Sequence, residues 1–272
     1  MPRSSASSPA SPLRPAPVFI LLPPSETKRQ DEPGAVSFNE DLYSGLRFPE
    51  LGIVRQELVA DLELLCADPV AAAAALKLGA RLAGEVALNT ALESAPRLPA
   101  LERYTGVLFD PIEAPTLSRA ERTWAAAHIL IQSAPFGPVG AMDPLPNYRL
   151  SATAKVPPTT LKKRWAAAGA AALASLHGFV LDLRSEAYVA LSPLAATGNH
   201  AYLRVVAAPE PGQSTPGNAL NHFNKKTKGL LVARLLATRP GCRNAAQFVE
   251  WATEQGFTAS IAEGEIRFEE LR

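Results

Sequence analysis

The stretch "VFILLPPSETKR", Val18 to Arg29, decides how the rest of the chain is read. A short apolar run with strand composition meets Pro23-Pro24, which cannot continue a hydrogen-bonded ladder, so a strand ends there. The chain then releases a hydroxyl, a carboxylate, a second hydroxyl and two cations between Ser25 and Arg29. The carboxyl ends of strands are where α/β sheets bind ligands. Hydroxyls and a lysine delivered to such an end can jointly hold a phosphate or a carboxylate.

Around this strand lie 272 residues, 47% of them apolar, which is ample for a core. The formal net charge of +1 means that a phosphate-bearing partner must be held by a local patch, without help from a whole-protein field. No apolar run approaches the roughly 20 residues that span a bilayer, so no membrane association is expected. Residues 1–17, "MPRSSASSPASPLRPAP", read as a disordered Pro/Ser-rich extension, and the apolar run after them is too short for a signal-peptide core. The folded domain is then residues 18–272. Cys66 and Cys242 belong to no CxxC or Cys/His cluster, which suits a reduced, cytoplasmic protein. His128, His177, His200 and His222 show no zinc-site spacing, so no metal site is expected. The chain carries neither G-x-G-x-x-G after a strand nor a P-loop, and it names no cofactor.

Helical spacing runs from Leu51 to Leu65. "ADPVAAAAALKLGARLAGEVALNTALE" predicts two Ala-rich helices, with Asp68 capping the first and Gly79 breaking between them. Ser118 and Glu121 form a capping box, and the short helix behind them runs into a strand, His128 to Ser133. The long Pro/Gly-rich segment "APFGPVGAMDPLPNYRL" reads as a functional loop. Thr160 to Leu176 is a helix, "GFVLDLRS" and "AYLRVVAA" are strands, and Lys225 to Thr238 is a helix stopped by Arg239-Pro240-Gly241. Asn244 caps a last helix. Alternation on both sides of Glu263-Gly264 closes the chain in a hairpin. The sum is α/β: a single domain with a mixed sheet, flanking helices and a C-terminal β-hairpin.

Ser25 to Lys28 also matches the S-x-x-K pattern of serine acyl enzymes, but the partner S-D-N is absent and Lys226 to Gly229 reads KTKG where KTG is wanted. In "NHFNKKTKGLLVARLL", Lys225 and Lys228 are three apart on one helix face, with Lys226 beside them. Cations at a helix start oppose the macrodipole, which suits contact with phosphates. "LRSEAY" delivers Ser185, Glu186 and Tyr188 to another strand end, where Glu186 is a salt-bridge partner or a general base.

Taken in order, the Ser/Pro turn with Thr27-Lys28, "RYTGVLFD", "APFGPVGAMDPLPNYRL", "DLRSEAYVAL" and "HFNKKTKGLLVARLL" resemble the YaaA family of peroxide stress proteins, from about Val18 to the final hairpin. The resemblance implies a bacterial cytoplasmic protein with a positively charged cleft, linked to limiting damage by hydrogen peroxide and iron. It also implies DNA binding through a helix-hairpin-helix-like element, for which Leu76 to Asn89 is the candidate here. On that resemblance the family's Tyr-Thr-Gly falls on Tyr104, Thr105 and Gly106, its Tyr-Arg on Tyr148 and Arg149, and its lysine pair on Lys225 and Lys226. The expected anion-binding set is therefore Ser25, Thr27, Lys28, Thr105, Arg149, Ser185, Lys225, Lys226 and Lys228. Two readings stay open: a cleft that holds backbone phosphates of double-stranded DNA, or an enzyme on a small phosphorylated or nucleobase-like ligand, with Lys28 and Glu186 as its catalytic groups.

Overall fold

A computed structural model of the chain describes residues 18–32, 41–207 and 221–271. The extension expected over residues 1–17 lies outside the described residues. In chain order the elements begin with β1 (Val18–Leu22), α1 (Gly52–Cys66), α2 (Pro69–Ala75), β2 (Arg97–Pro99), α3 (Ala100–Arg103) and α4 (Arg119–His128). There follow β3 (Ile129–Ser133), β4 (Gly137–Gly140), β5 (Pro144–Pro146), β6 (Lys155–Val156), β7 (Thr159–Thr160) and α5 (Leu161–Ala174). The remainder is β8 (Phe179–Asp182), α6 (Glu186–Val189), β9 (His200–Val206), α7 (Asn221–Thr238), α8 (Ala245–Glu254), β10 (Ala259–Ala262) and β11 (Glu265–Glu269).

The main sheet has the order β10-β11-β9-β8-β1-β3-β4. Its inner strands pair in parallel, and only the edge strands β10 and β4 run antiparallel. Every residue of β1 and β3 is buried, which is why β1 reads as an unbroken apolar run, and β3 as one through Ile131 before buried Gln132 and Ser133, where a one-faced strand would alternate. Removing each Leu, Ile or Phe of such strands from water contributes about 1.5–3 kcal/mol. The chain leaves β1 toward β3 on one side and comes back to β8 on the other. A crevice therefore opens at the carboxyl ends of β1 and β8.

Several local readings carry through. Ser118 and Glu121 cap α4 reciprocally, Asp68 accepts from the N–H groups of Val70 and Ala71, and Asn244 accepts from Gln247. Glu263 and Gly264 both take positive φ, the conformation of a two-residue hairpin turn, between β10 and β11. Among the described residues no helix is long and apolar enough to cross a membrane.

Other readings need amending. The second Ala-rich segment is a 3-10 helix, Ala80–Asn89, reached through an extended Gly79. The Pro/Gly-rich segment is only partly a loop. It contributes the edge strand β4, where Pro138 lacks the N–H that an inner strand would need, and β5, which pairs with β2. Its ordering comes from Arg55, which is fully buried and donates to the carbonyls of Phe136, Pro138, Phe48 and Arg47.

Gly137 opens β4 with φ +68, and a Cβ there would sit 2.6 Å from the ring of Trp165, itself fully buried with its indole N–H donating to the Ala134 carbonyl. Gly137→Ala should therefore lower the unfolding free energy by about 2 kcal/mol or more, read by urea denaturation, whereas Gly79→Ala, where the added Cβ meets nothing within 4 Å, should change it little.

Candidate functional site

After β1 the chain turns back on itself. Segments Thr27–Arg29 and Arg103–Thr105 lie antiparallel: Thr105 N–H donates to Thr27 O at 3.1 Å, Arg29 N–H donates to Arg103 O at 2.8 Å, and Lys28 faces Tyr104 in a bridge. Thr27 Oγ1 gives its proton to Thr105 O (3.0 Å) and so accepts from Ser25 Oγ (3.1 Å), which in turn accepts from Thr27 N–H. Gly106 makes the close approach possible. Its φ is +94, and a Cβ there would stand 2.9 Å from Thr27 Oγ1.

On one side of this turn lies a cleft of about 770 Å³. The turn supplies Ser25, Glu26 and Thr27; the loop after Tyr104 supplies Gly106 to Phe109; the end of β8 supplies Leu183 and Ser185 to Tyr188. Tyr202 and Arg204 come from β9, and Asn224, Lys225 and Lys228 from α7. Gly229 explains how α7 reaches the site, because a Cβ at this position would collide with the Leu108 carbonyl, so the helix lies directly on the loop. Lys228 is 6% exposed and donates to Leu183 O at 2.9 Å. Burial brings its pKa down to about 8, against the opposing pull of Asp182. Asp182 is itself gripped by fully buried Arg184 through two side-chain bonds, 2.9 and 2.7 Å, and one backbone bond.

On the other side of the turn is a smaller cleft of about 290 Å³, lined by Lys28, Gln30, Glu85, Asn147, Tyr148 and Arg149, with Leu82 and Leu88 as its apolar wall. Glu26 and Thr27 border both clefts. Lys28 is 8% exposed, and its Nζ donates to the carbonyls of Ser25 (3.1 Å) and Glu26 (3.4 Å). It also stands 4.1 Å from the centre of the Tyr148 ring. Burial lowers its pKa to about 7, with Glu26 the largest opposing influence. Beneath it, the Tyr148 hydroxyl bonds those of Tyr104 (2.7 Å) and Ser133 (3.0 Å). Desolvation pushes the Tyr104 phenol up to about 12 and raises that of Tyr148, so both stay protonated.

The expected residues thus divide. Ser25, Thr27, Ser185, Glu186, Lys225 and Lys228 meet in the large cleft, whereas Lys28 and Arg149 belong to the small one. Thr105 acts through its backbone and Lys226 lines neither cleft, lying about 100° round α7 from Lys225. Among the described residues α7 already begins at Asn221, so Lys225 to Lys228 lie a turn inside it and away from its free N–H groups. The S-x-x-K geometry is not that of an acyl enzyme, because Lys28 bonds the carbonyl of Ser25 and not its hydroxyl. Sequence reasoning missed Tyr202 and Arg204 on β9. Arg204 is held bidentate by Glu265 at 2.7 and 3.0 Å and lies 3.8 Å from Glu186. Arg149 is similarly occupied by Glu85 (3.3 Å) and Glu26 (3.7 Å). Among the described residues no group of three or more His, Cys, Asp or Glu side chains is placed to hold a metal ion.

The fold defines the class: an α/β protein with an open crevice at the carboxyl ends of parallel strands. A family model described as peroxide stress protein YaaA matches residues 18–261. A UPF0246 protein of Corynebacterium efficiens is 40% identical over 255 residues, covering 91% of this chain and 96% of that protein. A UPF0246 protein of Streptomyces coelicolor is 38% identical over 247 residues, covering 88% and 91%, and one of Corynebacterium glutamicum is 35% identical over 245 residues, covering 88% and 93%. This chain belongs to the YaaA family of peroxide stress proteins.

Lys28 binds fewer protons folded than unfolded between pH 7 and its ordinary value near 10.5, so in this window its contribution to stability rises with pH. The difference in unfolding free energy between the native chain and Lys28→Met should grow in favour of the native chain from pH 7 to about 9.5, by at most about 1.4 kcal/mol per pH unit. A difference flat across that window would place the Lys28 pKa near 10.5.

Proposed function

We propose that the large cleft is the active site of a peroxide-stress-family enzyme that acts, in the cytoplasm, on a small phosphorylated or nucleobase-like ligand. The observation that carries this reading is the convergence of Lys225, buried Lys228 and the hydroxyls of Ser25 and Ser185 in one concave space at the ends of β1 and β8. Such a set holds an anion from several sides, and Phe109, Tyr188 and Tyr202 give the same cleft an aromatic lining suited to a planar group. Glu186 lies exposed at the rim, beside Arg204, and is the candidate for moving a proton.

The DNA reading rests on a narrower feature, exposed Lys225 at one lip of the cleft with half-exposed Lys226 next to it in the chain. Backbone binding draws on cations free to meet phosphates. Here Arg149 and Arg204 are engaged by carboxylates, and Lys28 and Lys228 are buried against carbonyls.

Calorimetric titration of the full chain with nucleoside monophosphates and sugar phosphates, beside anisotropy of a short DNA duplex across a salt series, separates the two. The enzyme reading expects saturable small-ligand binding weakened about tenfold, about 1.4 kcal/mol, by Lys225→Ala, and turnover of the bound ligand lost in Glu186→Gln. Steeply salt-dependent duplex binding that Glu186→Gln leaves intact or improves, with no small-ligand response, would replace it with the DNA reading.

A further inference from the structure

The small cleft beside Lys28 has no role in that proposal, and its chemistry differs. Lys28 Nζ points two hydrogen-bond donors at fixed acceptors, the carbonyls of Ser25 and Glu26. A neutral amine has two N–H bonds, so these contacts use both and leave one lone pair. Across the same cleft stand the guanidinium of Arg149 and the amides of Gln30 and Asn147, while Leu82 and Leu88 give it an apolar wall. The space of about 290 Å³ admits a molecule of a few heavy atoms.

We propose that Lys28 is a nucleophilic amine that forms an imine with a small aldehyde or 2-oxo acid bearing one carboxylate, which Arg149 orients. The nitrogen lone pair attacks the carbonyl carbon and a C–N bond forms. The carbonyl oxygen then departs as water with the two protons the amine gives up. No oxidant or reductant enters the step. Arg149 is 16% exposed at its side chain and its present carboxylate partners are the more exposed Glu85 and Glu26, so an incoming carboxylate exchanges with groups that water can take over.

The charged groups that face the amine are Glu26, Arg149, Glu85 and Arg103, of both signs, and burial outweighs them all. With a pKa of about 7, half of Lys28 is unprotonated at neutral pH, against roughly one in a few thousand for an ordinary lysine. The inference does not depend on what the large cleft binds.

The test uses the native full-length chain with glyoxylate and cyanoborohydride at pH 7, followed by peptide mass spectrometry. Lys28 should be reductively alkylated about tenfold or more faster than exposed Lys162 and Lys163, and this preference should shrink toward pH 10. Arg149→Gln should slow trapping of glyoxylate at Lys28 without slowing that of acetaldehyde, which has no acid group. Labelling of Lys28 no faster than of Lys162 and Lys163 by either aldehyde would overturn the proposal. Preferential trapping of glyoxylate that Arg149→Gln leaves unchanged would overturn the role given to Arg149 and the acid group with it.

Discussion

β1 is hydrogen-bonded to a parallel strand on each edge and buried along its whole length, and its carboxyl end delivers the chain to the crevice. There Pro23 and Pro24 forbid a further rung, and the chain must leave the sheet at once. Where it goes is fixed by backbone bonds from Thr27 and Arg29 to the Arg103–Thr105 segment. This detour makes a wall with a cleft on either side. Were β1 to continue as far as Thr27, Ser25 and Thr27 would be rungs of a ladder and the crevice beside β8 would close.

The same detour sets the electrostatics. Lys28 ends up beneath the wall and Lys228 beneath the β8 carbonyl, each buried and each facing backbone oxygens in place of a full carboxylate salt bridge. Carbonyl dipoles compensate only part of the lost hydration of an ammonium, so both amines titrate far closer to neutrality than an exposed lysine does. The arginines around them are neutralised by neighbouring acids. The formal net charge of +1 fits this arrangement, in which the buried lysines and the ion-paired arginines lie at two small spaces.

Much of this is local and therefore legible in the sequence. The apolar run and its two prolines mark β1, Ser118 with Glu121 marks the start of α4, Asn244 that of α8, and Glu263-Gly264 the final turn, because each depends on residues within a few positions of one another. The i, i+3 spacing of Lys225 and Lys228 places them on one face, whereas Lys226, expected beside them, lines neither cleft. What the sequence hides is set at a distance. β4 is unreadable in a run of Pro and Gly because its order comes from Arg55, some eighty residues earlier, and from the indole of Trp165. Nothing near Arg149 says that Glu85 and Glu26 will occupy it, and nothing near β9 says that Arg204 will turn toward Glu265. The motif order identifies the family. The division of its polar residues between two clefts exists only in three dimensions.

The central claim is that burial has made these lysines different from all the others, and an NMR titration of the lysine side chains tests it most directly. Following the ¹³Cε and ¹Hε signals of Lys28 and Lys228 from pH 6 to 11, the account predicts midpoints near 7 and 8, well apart from the bulk of the lysines near 10.5. Midpoints for both within the bulk envelope would contradict it, since the wall would then leave its lysines solvated and the two clefts would be ordinary surface.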